Sequence, residues 1–378
     1  MILYIKDVLK LEELKGFKVM AGKEGLTNEV KRVGILDYET KEMIGKNFNK
    51  GEFIISTLLI IKDDINKLYS IVKELISIGV SGLAIKNIYF NNIPENVIKL
   101  ANENDFPIMI FSDTYFENII TLITNIINEK EENKILELKI DNILFNDLNP
   151  REIKKIAYEI NESFKEKNVV TFIKKKSNKK LKGQLTITDD IYSKIIAYKK
   201  GYLIIDTFEK IESKSIKDII LKKLENLGIT KNDYFIGISS LHEELKELHL
   251  AIKESMYSLK YSSIYDNNIT IFNEIGANKI LLPLIDNPWI EKYCDEMIKP
   301  IITYDNKNDT EMLKMVRSFI ENNGNIKATA KEMHLHDNTI RYRLDKIKVL
   351  LNKSVKIKHF YEELAIAIRI YNIKKKSL

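Results

Sequence analysis

Apolar and polar positions alternate in two different rhythms along this chain. Over residues 33–111, short apolar runs are separated by helical periodicities. VGILD (33–37), EFIIST (52–57), GLAI (82–85) and FPIMIF (106–111) predict strands, and residues 63–79 and 94–104 predict helices between them. Pro94 suits a first helical position and Gly79 a helix stop. Strand–helix–strand alternation predicts a mainly parallel sheet. A long helix is expected from about Tyr115 to Leu144, with Ile119, Ile123, Ile126, Leu136, Ile140 and Ile143 on its apolar positions. Polar residues 128–134 interrupt that stripe, so it reads as a packed connector, with a dimerising coiled coil as the alternative. Pro150 opens a second α/β region. VVTFIK (169–174), GYLIID (201–206) and YFIGIS (234–239) predict strands, and helices are expected over 151–165, 189–199, 214–227 and 241–260. Pro283, Pro288 and Pro300, half of the six prolines, fall in residues 283–300 and suggest an interdomain hinge. No internal repeat and no long low-complexity segment stands out.

The rhythm becomes wholly helical after residue 310. Met312, Val316, Phe319 and Ile320 share one stripe, and Gly324 ends that helix. Asn325 can cap the next, where Ile326, Ala330 and Met333 face inward. The link MHLHD follows, with Leu335 as an inward plug. Ile340, Leu344, Ile347 and Leu351, at spacings of four, three and four, bury the second helix of the pair. Phe360, Leu364, Ala367, Ile368 and Tyr371 form the face of a closing helix. At 100° per residue, Asn338 and Tyr342 lie nearly opposite the buried stripe, flanked by Thr339, Arg341 and Lys346, with Arg343 nearer the boundary. Amide and guanidinium groups on an outer helical face can make paired hydrogen bonds to a base edge in the major groove. Basic flanks can neutralise phosphates.

Composition sharpens this picture. The 378 residues suffice for two or three domains, and 44% are apolar. No run of 18 apolar residues suggests a membrane span, and Lys6, Lys10 and Lys15 break any signal-peptide core. A lone cysteine, Cys294, excludes an intrachain disulfide and suits a reducing cytosol, where it reads as structural. The net charge of +6 is uneven: residues 311–378 carry 15 basic and 7 acidic side chains, and the rest of the chain 45 and 47. That fits a polyanion-binding end, or a solvated basic surface with a Lys374–Lys376 tail.

The string MVRSFIENNGNIKATAKEMHLHDNTIRYRLDKIKVLLN closely resembles the C-terminal helix-turn-helix of PucR-type transcription regulators, the purine-catabolism regulator family. Gly324-Asn325, Ala328, Ala330, His336, Asn338-Thr339, Arg341-Tyr342-Arg343-Leu344 and Ile347 carry the resemblance. It departs at Asp337, where the family often has a basic residue. An acid there can cap a helix but repels phosphate. The resemblance implies that His336, Asn338, Thr339, Arg341, Tyr342, Arg343 and Lys346 contact double-stranded DNA. Residues 8–125 are similar, by pattern and order, to the family's N-terminal sensory domain, on GLTNEVKRVGILD, GEFIISTLLII, LISIGVSGLAI and ANENDFPIMIF. A response to a small-molecule metabolite, in some members one of purine catabolism, is implied. The middle region resembles the family's degenerate GGDEF-like domain, on YFIGISSLHEELKELHLAIKESMYSLKYS. Where the cyclase motif would fall the chain reads AYKKGYLIID, with no Gly-Gly pair and no paired acids to hold Mg²⁺. VVTFIK also lacks the expected Asp, and Asp206 alone does not restore a metal site.

The expected architecture is multidomain α/β plus all-α. It comprises an N-terminal α/β sensory domain (1–125), a connecting helix (126–149), a GGDEF-like (cyclase-like) α/β domain (150–275), a linker (276–308) and a helix-turn-helix bundle (309–378). No catalytic residue, metal or cofactor is expected. His334 and His336 lack further nearby ligands in sequence, and His242 and His249 read as solvated positions on one helix. Asp37, Glu39 and Thr57 fall at predicted strand ends and take no role. The implied protein is a cytoplasmic, effector-controlled transcription regulator acting as a homodimer or higher homo-oligomer, without a membrane. Two alternatives stay open: a divergent nucleotide cyclase or phosphohydrolase, and an architectural nucleoid protein.

Overall fold

The computed structural model describes residues 2–176, 190–211, 216–352 and 359–377. The chain divides into two compact units, Met1–Leu138 and Lys139–Leu378.

The first unit is built on a five-stranded sheet in the order β1-β5-β4-β3-β2. Strands β2 (Arg32–Ile35), β3 (Glu52–Ser56), β4 (Gly82–Lys86) and β5 (Ile108–Phe111) run parallel, as their alternation with helices predicts. Strand β1 (Lys18–Ala21) adds an antiparallel edge on β5 that the sequence pattern did not announce. Both sheet faces are covered, which is why β3, β4 and β5 are almost continuously apolar. Ile54, Leu83 and Ile85 pack with α2 (Lys41–Asn47), α3 (Leu68–Ile78) and α4 (Glu95–Glu103). Phe53, Ile55, Ala84 and Met109 pack on the other side with α1 (Ile5–Val8) and with Ile119 and Ile123 of α5 (Phe116–Phe145). Asp37, Glu39 and Thr57 hold the crossover loops together. Thr57 donates its amide and hydroxyl to Asp37 Oδ1 at 2.7 and 2.8 Å, and Glu39 accepts the amides of Asp37 and Tyr38.

The second unit has two parts sharing one helix. Its sheet has the order β10-β9-β6-β8-β7. The central strand β6 (Lys167–Lys175) pairs antiparallel with β8 (Gly201–Phe208) and β9 (Tyr234–Ile238), and β10 (Ile269–Ile271) runs parallel to β9. Helices α6 (Pro150–Ile160) and α7 (Ile216–Asn226) match expectation. Residues 214 and 215 of the expected helix 214–227 lie outside the described residues. The helix expected over 189–199 is instead strand β7 (Ser193–Tyr198), with residue 189 outside the described residues. Lys199 and Lys200 turn the chain at φ 43° and 63°, so that β7 pairs with β8 as a hairpin, and that pairing overrides local helical propensity.

Helix α8 (Leu248–Tyr265) lies directly on β9. Its small residues Ser255, Ser258 and Ser262 are fully buried, and the Ser258 and Ser262 hydroxyls donate to the carbonyls of Ile238 and Ile236. Gly237 makes this approach possible, because a Cβ there would overlap the Ser255 carbonyl and the Leu259 amide. Gly237→Ala is expected to lower stability by about 1–3 kcal/mol through overpacking, measured by chemical denaturation, whereas Gly228→Ala, with open space at its Cβ but φ at 70°, should cost only the backbone strain of about 1–2 kcal/mol.

Tyr257, Tyr261, Ile264 and Tyr265 of α8 enter a second core with α9 (Asn278–Leu281), α10 (Pro288–Asn308), α11 (Met312–Glu321), α12 (Ile326–Glu332), α13 (Asp337–Asn352) and α14 (Phe360–Ser377). Residues 283–300, expected as a hinge in a linker over 276–308, belong mostly to α10. Pro288 occupies its first turn, where an amide is not needed, and Asn287 caps it by accepting from the Trp289 amide at 2.9 Å. Pro300 lies inside the helix, yet Cys294, Met297, Ile298 and Ile301 bury a continuous stripe that holds it in place. Burial pushes the Cys294 thiol up to about 11. No described helix is long and apolar enough to cross a membrane.

Candidate nucleic-acid interface

Local chemistry sets each helix of the C-terminal cluster. Asp305, near the end of α10, starts α11 by accepting the Met312 and Leu313 amides at 2.8 and 2.9 Å. Gly324, at φ +77°, ends α11, and its amide returns to the Phe319 carbonyl. Asn325 then caps α12, its side chain accepting from the Ala328 amide at 3.1 Å. Glu332 ties α12 back to α11 by accepting from Ser318 Oγ and Asn322 Nδ2, both at 2.6 Å, and those two bonds hold its carboxyl below the usual range.

The turn between α12 and α13 passes through His334, in the left-handed region at φ 53°. Its amide and that of Leu335 return to the Lys331 and Ala330 carbonyls. His336 follows as the cap of α13. Its carbonyl accepts from Thr339 and Ile340, and its Nδ1 accepts from the Asn338 amide at 3.3 Å, which requires that nitrogen to be unprotonated. His336 therefore positions the helix, a role that residue type alone did not single out.

Ile340, Leu344, Ile347 and Leu351 are buried, as their spacing predicts. Asn338 and Tyr342 stand on the opposite face and Arg341 flanks them, all exposed, with Tyr342 67% accessible. Asp337 is half-buried at the start of the helix, and Asp345 and Lys348 extend the exposed face. Thr339, Arg343 and Lys346 are half-buried along one flank. The Lys346 ammonium lies 5.7 Å from the centroid of the Tyr304 ring on α10. Lys346 is thus shared between the outer surface and α10. Neither Arg341 nor Arg343 is ion-paired among the described residues.

The other polar clusters look different. Asp206 is buried on β8, where it accepts from Ser193 Oγ at 2.8 Å and is ion-paired with Lys223, which also reaches Asp190 at 3.3 Å. Burial pushes the Asp206 carboxyl up, against the pull of Lys223 and Ser193. His242 does not share a helix with His249. It precedes α8, is buried, and sits 3.2 Å from Glu254 and 3.6 Å from Glu247. Burial opposes its protonation, but the two carboxylates outweigh burial and raise its pKa. Its ring is thus held between acids rather than solvated. Among the described residues, no three His, Cys, Asp or Glu side chains converge as a metal site.

Comparison with known proteins bears on both ends of the chain. Residues 7–127 match the purine catabolism regulatory protein-like (PucR) family, and residues 312–370 match the PucR C-terminal helix-turn-helix domain. Both ends of the chain are PucR-family domains. The PucR helix-turn-helix match takes in α11 to α13 and most of α14, and begins after α10 ends. The purine catabolism regulatory protein of Bacillus subtilis is 31% identical over 106 residues, 28% of this chain and 19% of that protein. The proline-responsive transcriptional activator PutR of the same organism is 22% identical over 169 residues, 43% of this chain and 41% of that protein. The matches thus span less than half the length of either relative. A solved structure of a regulator of polyketide synthase expression from Bifidobacterium adolescentis aligns over 62% of this chain and 98% of its own, at 15% identity and a TM-score of 0.26.

Proposed function

We propose that this PucR-type chain is a cytoplasmic, sequence-specific transcription regulator whose α13 enters the major groove of double-stranded DNA. The observation that carries this reading is the outer face of α13: Asn338 and Tyr342 are exposed opposite a buried stripe, with Arg341 exposed beside them. Asn338 and Arg341 supply the paired donors that a base edge or phosphate accepts. Tyr342 adds apolar area and a hydroxyl. His336 fixes the start of the helix, and Thr339, Arg343 and Lys346 line the flank where a phosphate backbone would pass. Similarity to a purine catabolism regulatory protein and to a proline-responsive transcriptional activator supports the same reading.

The N-terminal α/β unit is the place for control by a small metabolite. Such control requires the effector to bind one arrangement of the protein more tightly than another. The middle sheet reads as a degenerate GGDEF-like domain that relays rather than catalyses. Its hairpin turn is Lys199-Lys200, and its buried acid, Asp206, is engaged by Lys223, which also reaches Asp190, so that carboxylate pair, among the described residues, is already held by a cation rather than free for Mg²⁺. One recognition helix contacts few bases, so a homodimer or higher assembly reading half-sites about 34 Å apart is the natural functional form. In-cell DNA footprinting across the genome tests the proposal. Discrete protected sites near promoters are expected, and featureless coverage, as from an architectural binder, would contradict it.

A further inference from the structure

An open groove of about 480 Å³ runs beside the recognition helix, between α13 and α10, and its α10 wall lies outside the PucR helix-turn-helix match. Asp295, Glu296, Lys299, Pro300, Thr303, Tyr304 and Lys307 line one wall, all from one face of α10, and Leu350 of α13 lines the other. Tyr304 carries the Lys346 ammonium on its ring, so the groove is continuous with the flank of α13 formed by Thr339, Arg343 and Lys346.

Charge divides this groove into two ends. At the early end of α10 the acids are matched within the helix: Asp295 pairs with Lys299 at 2.6 Å and Glu296 with Lys292 at 3.9 Å. One turn beyond Tyr304 lies Lys307, exposed and with no ion-pair partner among the described residues. Its neighbours on the same wall, Thr303 and Tyr304, offer hydroxyls rather than acids. An unpaired ammonium beside two hydroxyls, one turn from the ring that carries the Lys346 ammonium, has the chemistry of a phosphate contact. The matched acids at the other end mark where a polyanion would leave.

We propose that α10 is a second DNA-contacting element, with Lys307 holding a backbone phosphate of the duplex that α13 reads. This rests on the DNA-binding reading above and extends the interface beyond the helix-turn-helix. A phosphate contact adds affinity without sequence preference, and each one lost lowers the salt slope of binding by about 0.9. Lys299, on the same helix but neutralised by Asp295, provides the internal control.

The test uses the full chain and a fluorescein-labelled 30-base-pair duplex of random sequence. Anisotropy titrations between about 50 and 200 mM KCl give the salt slope. Lys307→Gln is expected to flatten the slope by about 0.9 and to weaken binding roughly five- to tenfold near 100 mM salt, with thermal unfolding unchanged. Lys299→Gln should leave the slope as in the parent. A Lys307→Gln slope equal to the parent's would overturn the role of α10 while leaving the DNA-binding reading intact. A parent chain that fails to bind at 50 mM salt would overturn both. Equal flattening by Lys299→Gln would overturn the specific site, since it would show a general effect of charge.

Discussion

Lys223→Met is expected to destabilise the second unit by about 3–5 kcal/mol at neutral pH, because it leaves the Asp206 carboxylate buried without its cation. The Lys223 side chain is only 15% exposed and the Asp206 side chain 4%, so water cannot replace the lost partner. Ser193 alone would remain to donate a hydrogen bond. The pH dependence follows from the direction of the Asp206 shift. Burial raises its folded-state value above the unfolded one, so the fold prefers the protonated form. The stabilising contribution of that proton is present below the ordinary carboxylate range and is lost as pH rises through the raised folded value. Removing Lys223 raises that value further. The deficit of Lys223→Met should therefore be largest at neutral pH and shrink as pH falls towards about 4. Urea denaturation of Lys223→Met and of Lys223→Met/Asp206→Leu checks this. The double variant should recover most of the loss, because an apolar pair replaces an orphaned charge. A single variant as stable as the parent at pH 7 would mean the pair is solvated in solution.

The second large effect falls on DNA. Asn338→Ala should cost about 1–3 kcal/mol against the preferred sequence if its amide makes a paired contact to one base, and should leave affinity for random duplexes nearly unchanged. Arg341→Ala should act more broadly, weakening binding to all sequences and flattening the salt dependence if it meets phosphate, or adding a lost base preference if it reads guanine. Neither side chain is buried, so both variants should retain the parent's melting temperature. Lys346→Ala is expected to combine a smaller loss of DNA affinity with loosened packing against Tyr304, because its ammonium is shared with that ring.

Much of this arrangement is legible in the sequence because it obeys simple periods. Ile340, Leu344, Ile347 and Leu351 recur at helical spacing and are buried, so the exposed face of α13 could be read by subtraction. Strands β3, β4 and β5 of the first unit announce themselves as apolar runs because both faces of their sheet are covered. What escaped the sequence depends on distant partners. Strand β1 is short and half-exposed, and only its pairing with β5 makes it a strand. Strand β7 carries a pattern that suits a helix until β8 pairs with it through the Lys199-Lys200 turn. Helix α10 was obscured by its prolines, which mark a turn in isolation but here occupy a first turn and a tolerated interior site. Reading Lys299, Thr303 and Lys307 as one helical face would have revealed its wall beside α13. The capping role of His336 was hidden because histidine is an uncommon cap and the contact is visible only in three dimensions.

Selection of bound duplexes from a random DNA library, run in parallel on the parent chain and Asn338→Ala, tests the assignment of α13 most directly. The parent should enrich paired half-sites spaced by about one helical turn, and Asn338→Ala should lose preference at one base pair in each half-site while keeping the spacing. Enrichment of no motif by the parent, or an unchanged motif from Asn338→Ala and Arg341→Ala alike, would contradict the reading of this face as the one that meets DNA.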